Sequence, residues 1–244
     1  MITQVHNDLY SHVIQLEQCS SIGQVKAICQ KYLQTIGIQY FKYSWKPPAI
    51  TQSEQVAFWT CGDEWVEQYQ LQNYGDIDPK MRYADSHYLP TVWDANIIKN
   101  KLSKKQTSEI DFWTDSLDMG VASGITIPIR GNAGSKGSLC VAFDTDSADN
   151  RATLLSIYET WAMHLHNRVE SLYALDQLKS PLSEREQEVL KWTVSGKTCE
   201  EVAKILYISQ NTVLFHLSNL RLKLGVNNKH HLIARALSLG LVDL

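Results

Sequence analysis

The chain is predicted to be α+β, with an N-terminal α/β/α sandwich on an antiparallel sheet and a C-terminal all-α helix-turn-helix domain. Three observations predict this. Helix and strand patterns mix over the first 175 residues in the order ααββα…αββα, which suits a sheet with helices on both faces. Three helix-start signals then follow in quick order from residue 183. Charge and aromatic content change at the same place. Residues 1–178 carry a formal net charge of −6 and residues 179–244 carry +3, and six of the seven tryptophans lie before residue 178. The expected division is 1–175, a polar linker over 176–181 ending in Pro181, and 182–244; Pro181 biases Ser180 away from helix.

Each element has a local reason. Residues 4–18 and 22–36 read as helices, the second ended by Gly37. Ile38–Trp45 is rich in β-branched and aromatic residues and stops at Pro47-Pro48, so it reads as a strand, with Val56–Thr60 a second. Asp63–Gln72 and Lys104–Met119 read as helices, the latter closed by Gly120. Ser123–Arg130 and Gly137–Asp144 flank Gly131-Asn132-Ala133-Gly134, a hairpin pattern. Leu154, Tyr158, Trp161, Leu165, Val169 and Leu172 recur at spacings of four, three, four, four and three, one face of a long helix.

Composition excludes several classes. Of 244 residues, 44% are hydrophobic and 20% charged, which rules out a mainly disordered chain. No apolar run approaches the roughly 18 residues of a membrane span. The start, Met1-Ile2-Thr3-Gln4, has no basic and apolar leader pattern. The five cysteines form no CxxC pair, so neither a disulfide framework nor a zinc site is expected. A cytoplasmic protein without membrane contact, metal or cofactor is expected. Enzyme patterns fail as well. Gly196-Lys197-Thr198 resembles the end of a phosphate loop, but the required earlier glycine is Lys191. No GxSxG elbow is present. His164 and His166, two apart on a helix, diverge and read as surface histidines rather than ligands.

The C-terminal signals are specific. Ser183-Glu184-Arg185-Glu186 and Thr198-Cys199-Glu200-Glu201 are capping boxes. Ser209 caps a third helix and Gly225 ends it. Helices two and three meet across a tight turn at Tyr207-Ile208, a helix-turn-helix whose second helix is the candidate reader of the major groove. At about 100° per residue, Val213, Leu217, Leu220 and Leu224 share the core side. Asn211, Leu214, Phe215, Ser218 and Asn219 lie opposite, where Asn pairs with adenine and apolar side chains meet thymine methyls. Thr212, Arg221, Lys223 and Lys197 are candidate phosphate contacts. Spacing alone leaves open a small helical protein-interaction domain.

In the N-terminal part, Trp65 and Tyr69 are i and i+4 and share a helix face. Asp78-Pro79, Trp93 and Gly124 follow. Aromatics with one carboxylate suit a small amphiphile carrying an amide, whose N–H the carboxylate accepts. Core aromatics plus a surface Asp is the alternative reading of the same spacing.

The stretch Leu182 to Leu190, with Trp192, Gly196-Lys197-Thr198, Glu201-Val202-Ala203 and Asn211-Thr212-Val213 through His216, resembles the DNA-binding domain of LuxR-type quorum-sensing transcription regulators. Trp65, Tyr69, Asp78, Pro79, Trp93 and Gly124 match the family's autoinducer-binding domain in order and spacing. The layout is similar to the long-chain acyl-homoserine lactone receptors of pseudomonads. The resemblance implies a four-helix C-terminal module. It implies that Trp65 bonds the lactone carbonyl of an N-acyl-homoserine lactone, that Asp78 accepts from its amide, that Tyr69 and Trp93 wall the ring, and that Gly124 leaves room near the ligand. Cys61 and Cys140 stand where many members carry hydroxyl groups for the acyl carbonyl; a thiol is a weaker donor. Leu214 and Ser218 replace polar or basic residues common in the family. A homodimer on double-stranded promoter DNA is implied, with RNA polymerase a further partner. The dimer surfaces are expected on the long helix and on Leu232, Ala236 and Leu239. A ligand-independent regulator, or a sensor of a non-lactone molecule, is the alternative.

Overall fold

The computed structural model describes residues 2–35, 38, 40–48, 55–60, 63–143 and 151–242. It divides into two compact units, and the division falls inside the long helix between Arg168 and Val169.

The first unit contains α1 (Ile2–Gln18), α2 (Ile22–Thr35), β1 (Tyr40–Lys46), β2 (Val56–Thr60), α3 (Asp63–Leu71), α4 (Tyr74–Ile77), α5 (Pro79–Ser86), β3 (Thr91–Asp94), α6 (Ala95–Lys101), α7 (Thr107–Asp118), β4 (Ser123–Arg130), β5 (Lys136–Phe143) and the start of α8 (Arg151–Asp176). The five strands form one antiparallel sheet in the order β2-β1-β5-β4-β3. The expected strands and hairpin are present. Gly37, expected to end the second helix, lies outside the described residues. The polar stretch between residues 73 and 101 read as no element, yet it forms α4, α5, β3 and α6. Its short pieces are held by tertiary packing and local caps, which periodicity does not register. Pro79 opens α5 behind the Asp78 cap, and the Asp94 side chain accepts from the Ile97 N–H.

Strand alternation gives the sheet two different faces. On one, Phe41, Tyr43 and Trp45 pack toward α8: Phe41 lies 5.4 Å from the Trp161 ring, and Tyr43 Oη is 2.9 Å from His166 Nδ1. His166 is 6% exposed. This corrects the expected surface histidine: it belongs to the core, and burial lowers its pKa to about 4. On the other face, Lys42, Ser44, Ser138, Cys140 and Ala142 look toward a cavity bordered by α3 and α5.

The second unit carries the end of α8, then α9 (Glu184–Val194), α10 (Cys199–Leu206), α11 (Gln210–Leu224) and α12 (Lys229–Ser238). Both capping boxes form, at Ser183/Glu186 and Thr198/Glu201. Leu232, Ala236 and Leu239 are buried within the single chain, as are Tyr158, Trp161, Leu165, Val169 and Leu172. These side chains are therefore core, while Met163 and Leu175 of α8 remain exposed.

Candidate functional site

The first unit holds a half-open cavity of about 700 Å³. Trp65, Tyr69, Asp78, Trp93 and Cys140 all line it, so five of the seven expected ligand residues come together. Cys61 lies outside the described residues. Gly124 does not line the cavity. A Cβ there would stand 2.1 Å from the Val141 carbonyl oxygen and 2.6 Å from the Trp93 ring. Gly124 pairs with Trp93 across β3 and β4. Its missing side chain makes room for that ring and the next strand rather than for a ligand.

Asp78 is 1% exposed, not the surface residue its place before a proline allows. It sits between α4 and α5, with φ −53° and ψ 111°, and its Oδ1 accepts from the Lys80 backbone N–H at 2.9 Å. The Tyr69 hydroxyl donates to Oδ2 at 3.0 Å, and the Lys42 ammonium donates to the Tyr69 oxygen at 2.7 Å. Burial, with the Asp78 charge and this hydrogen bond, pushes the Tyr69 phenol far up, so it stays a donor. The Trp65 ring meets Tyr69 edge-on at 5.9 Å, as the i, i+4 spacing requires.

Cys140 is buried, with Sγ 3.4 Å from Thr126 Oγ1. Burial and the charge of Asp78 push its pKa up to about 11, so it is a neutral thiol. Ser138 lines the same wall, with its Oγ 3.2 Å from that of Ser44. Tyr43 faces the opposite side of the sheet. Two lysines, Lys42 and Lys80, were missed as site residues. Lys42 was legible as the strand partner of Tyr40 and Ser44 at period two; nothing local marks Lys80, whose burial depends on α7. Among the described residues, no cluster of His, Cys, Asp and Glu fits a metal ion, and no helix is long and apolar enough to cross a membrane.

In the second unit, α10 and α11 are joined by Tyr207, Ile208 and Ser209. Tyr207 takes the left-handed conformation at φ 54°. The Ser209 side chain accepts from the Thr212 N–H. Val213, Leu217, Leu220 and Leu224 are buried, so the predicted core face is the one observed. Asn211, Leu214, Phe215 and Ser218 are exposed; Thr212, Asn219 and Arg221 are half-buried. Leu222, four residues after Ser218, extends the exposed apolar stripe at 67% exposure and was missed. Lys197 lies 3.8 Å from Glu201 in a solvent-exposed pair.

Lys223, an expected phosphate contact, is held within the unit by an ion pair. Its ammonium donates to Glu186 Oε2 and to the Pro181 carbonyl, both at 2.7 Å. Glu186 is 3% exposed. Burial alone would raise its pKa, but hydrogen bonds from Lys223 and Ser183 outweigh that and hold it below the ordinary carboxylate value. Lys223→Ala should therefore destabilise this unit by about 2 kcal/mol, by leaving a buried carboxylate without its cation. The loss should be full above the unfolded Glu value of about 4.3 and fade as pH falls through the lowered folded value. Thermal unfolding of the variant across pH checks this; an unchanged melting temperature at neutral pH contradicts it.

Comparison with known proteins identifies both parts of the chain. Residues 21–169 match the autoinducer binding domain, and residues 180–236 match the luxR family of bacterial regulatory proteins. The chain is 30% identical over 230 residues to the HTH-type quorum-sensing regulator RhlR of Pseudomonas aeruginosa, covering 89% of each chain. It is 32% identical over 214 residues to the transcriptional activator SolR of Ralstonia solanacearum, covering 85% of this chain and 87% of that one. Its fold is that of Escherichia coli SdiA, with TM-score 0.59 at 21% identity over 96% of this chain and 97% of that one. Both domains, matched in order along one chain, make this protein a member of the LuxR family of quorum-sensing transcription regulators, which are not enzymes.

Proposed function

We propose that the protein takes an N-acyl-homoserine lactone, or a related acyl amide, into its first-unit cavity and thereby controls binding of promoter DNA as a homodimer. The observation that carries this reading is Asp78, a buried carboxylate in an aromatic cavity large enough for an acyl chain. Asp78 accepts the amide N–H, Trp65 donates its indole N–H to the head-group carbonyl, and Tyr69 and Trp93 wall the head. The neutral Cys140 thiol and Ser138 face the acyl carbonyl. RhlR is named a quorum-sensing regulator. CepR2 of Burkholderia cenocepacia, of the same fold, is described as N-acylhomoserine lactone dependent, and SdiA has been solved with octanoyl-rac-glycerol.

A ligand buried in the core stabilises folding by mass action. Soluble yield should therefore rise when the lactone is supplied during expression, and mass spectrometry of the extracted protein should return an acyl amide. Equal yield with no extracted ligand supports a ligand-independent regulator instead.

On DNA, α11 enters the major groove with Asn211, Leu214, Phe215, Ser218 and Asn219 toward the bases. Thr212, Arg221 and Lys197 flank them at phosphates. One such helix covers too few base pairs to select a genomic site. Two copies on half-sites about one helical turn apart solve this. RNA polymerase is the further partner that transcriptional activation requires. The apolar stripe favours thymine methyls over guanine, so Ser218→Arg should tighten binding to many sequences and create a guanine preference. Selection from randomised half-sites reads this; strong guanine selection by the native protein opposite Leu214 or Ser218 contradicts it.

A further inference from the structure

Lys80 is the feature of the cavity that the proposed roles leave unused. It lies in the first turn of α5, two residues after Asp78, and is 8% exposed. Its ammonium stands 3.4 Å from Asp78 Oδ1. It also stands 4.1 Å from the ring centre of Phe112, 5.0 Å from Trp113 and 5.2 Å from Trp93. Beside it, Trp93 is 5% exposed, and its indole N–H meets no acceptor among the described residues. Lys80 and Trp93 both line the cavity.

An ammonium carries three N–H donors. Aromatic faces attract its charge but do not replace hydrogen-bond acceptors. Among the described residues its carboxylate partner is Asp78, which is shared: Asp78 also accepts from the Lys80 backbone and from Tyr69, and the Lys42 ammonium stands 4.0 Å away. A ligand amide N–H would draw on the same carboxylate again. The Lys80 ammonium, a charged and underused donor of a cavity-lining residue, thus stands beside the carboxylate to which the amide of an acyl head group would bond, and a buried donor short of acceptors is costly.

A lactone brings neutral oxygens to this donor. A carboxylate brings two oxygens with about four lone-pair sites and a negative charge, and charge-assisted hydrogen bonds are the stronger kind. The geometry points to an N-acyl amino acid with a free carboxylate, of the kind formed when an acyl-homoserine lactone ring opens, as the preferred ligand, with Lys80 as the residue that sets this preference. The inference rests on the acyl-amide reading of the cavity and names the head group within it.

The test is calorimetric titration of the full-length protein at about pH 6.5, where the carboxylate is ionised. The probes are matched pairs of N-acyl-homoserine and N-acyl-homoserine lactone with butanoyl, octanoyl and dodecanoyl chains. The native protein should bind the homoserine member of the best pair at least about 10-fold more tightly than the lactone. Lys80→Met should lose that preference, and Lys80→Arg should keep it. Lactone binding as tight as or tighter than carboxylate binding in the native protein overturns the inference while leaving the acyl-amide reading intact. A preference unchanged in Lys80→Met overturns the role of Lys80. Binding of neither member at any chain length overturns both readings. If Lys80→Met does not fold, the native preference and the Lys80→Arg titration still decide.

Discussion

Asp78→Asn should weaken ligand binding by about 30- to 150-fold, the equivalent of roughly 2–3 kcal/mol. The change removes the charge that strengthens the amide contact. It also turns one acceptor oxygen into a donor NH2 group facing the Tyr69 hydroxyl or the ligand N–H. A second effect follows from Lys80, whose ammonium then loses its carboxylate partner inside an aromatic cluster. Asp78→Asn should therefore also lower the melting temperature of the ligand-free protein. Adding Lys80→Met should recover part of that stability without restoring binding through the amide. Trp65→Phe should cost less than Asp78→Asn, since ring packing survives and only the indole N–H is lost. Calorimetric titration with the ligand extracted from the native protein measures the affinities, and thermal unfolding of the ligand-free variants measures the stabilities. An Asp78→Asn variant that binds as the native protein does would remove Asp78 from the site.

Gly124→Ala should produce the largest loss of stability from a single added methyl group, about 3 kcal/mol or more. The new Cβ would meet the Val141 carbonyl oxygen at 2.1 Å, the Trp93 ring at 2.6 Å and the Ala142 Cα at 3.0 Å. Two of these are backbone atoms of the paired strand β5, which cannot swing aside as a flexible side chain does. The third belongs to a tryptophan that is itself 5% exposed. For a chain of this size such a loss lowers the melting temperature by about 6–12 °C. Ligand affinity of the fraction that folds should fall only as far as Trp93 is displaced. Gly124→Ala melting together with the native protein would contradict the strand-packing role.

The C-terminal module was the most legible part of the chain. Its helix starts rest on side chains three residues apart: Ser183 with Glu186, Thr198 with Glu201, and Ser209 with the Thr212 N–H. Its core face follows from the helical repeat, and Val213, Leu217, Leu220 and Leu224 are buried accordingly. Of the candidate ligand site, Trp65 and Tyr69 were readable as one helix face. Bringing Asp78, Trp93 and Cys140 to them required resemblance to a family, because no local pattern links residues on α3, between α4 and α5, on β3 and on β5.

Local order thus came from the sequence wherever hydrogen bonds and apolar periodicity span only a few residues: the caps, the long α8, the β4–β5 hairpin and the core and exposed faces of α11. Tertiary structure decided what depends on approach between segments distant in the chain. It buried Asp78 and His166, which residue type and neighbours placed at the surface. It turned Lys223 onto Glu186, 37 residues away, and so gave a candidate DNA contact a structural partner. It set Gly124 against Trp93 and Val141, and it carried the Lys80 ammonium to the rings of Phe112 and Trp113 on α7. A side chain's charge and shape are properties of one residue, but its burial and its partners belong to the packed chain, and they decide what that charge can do.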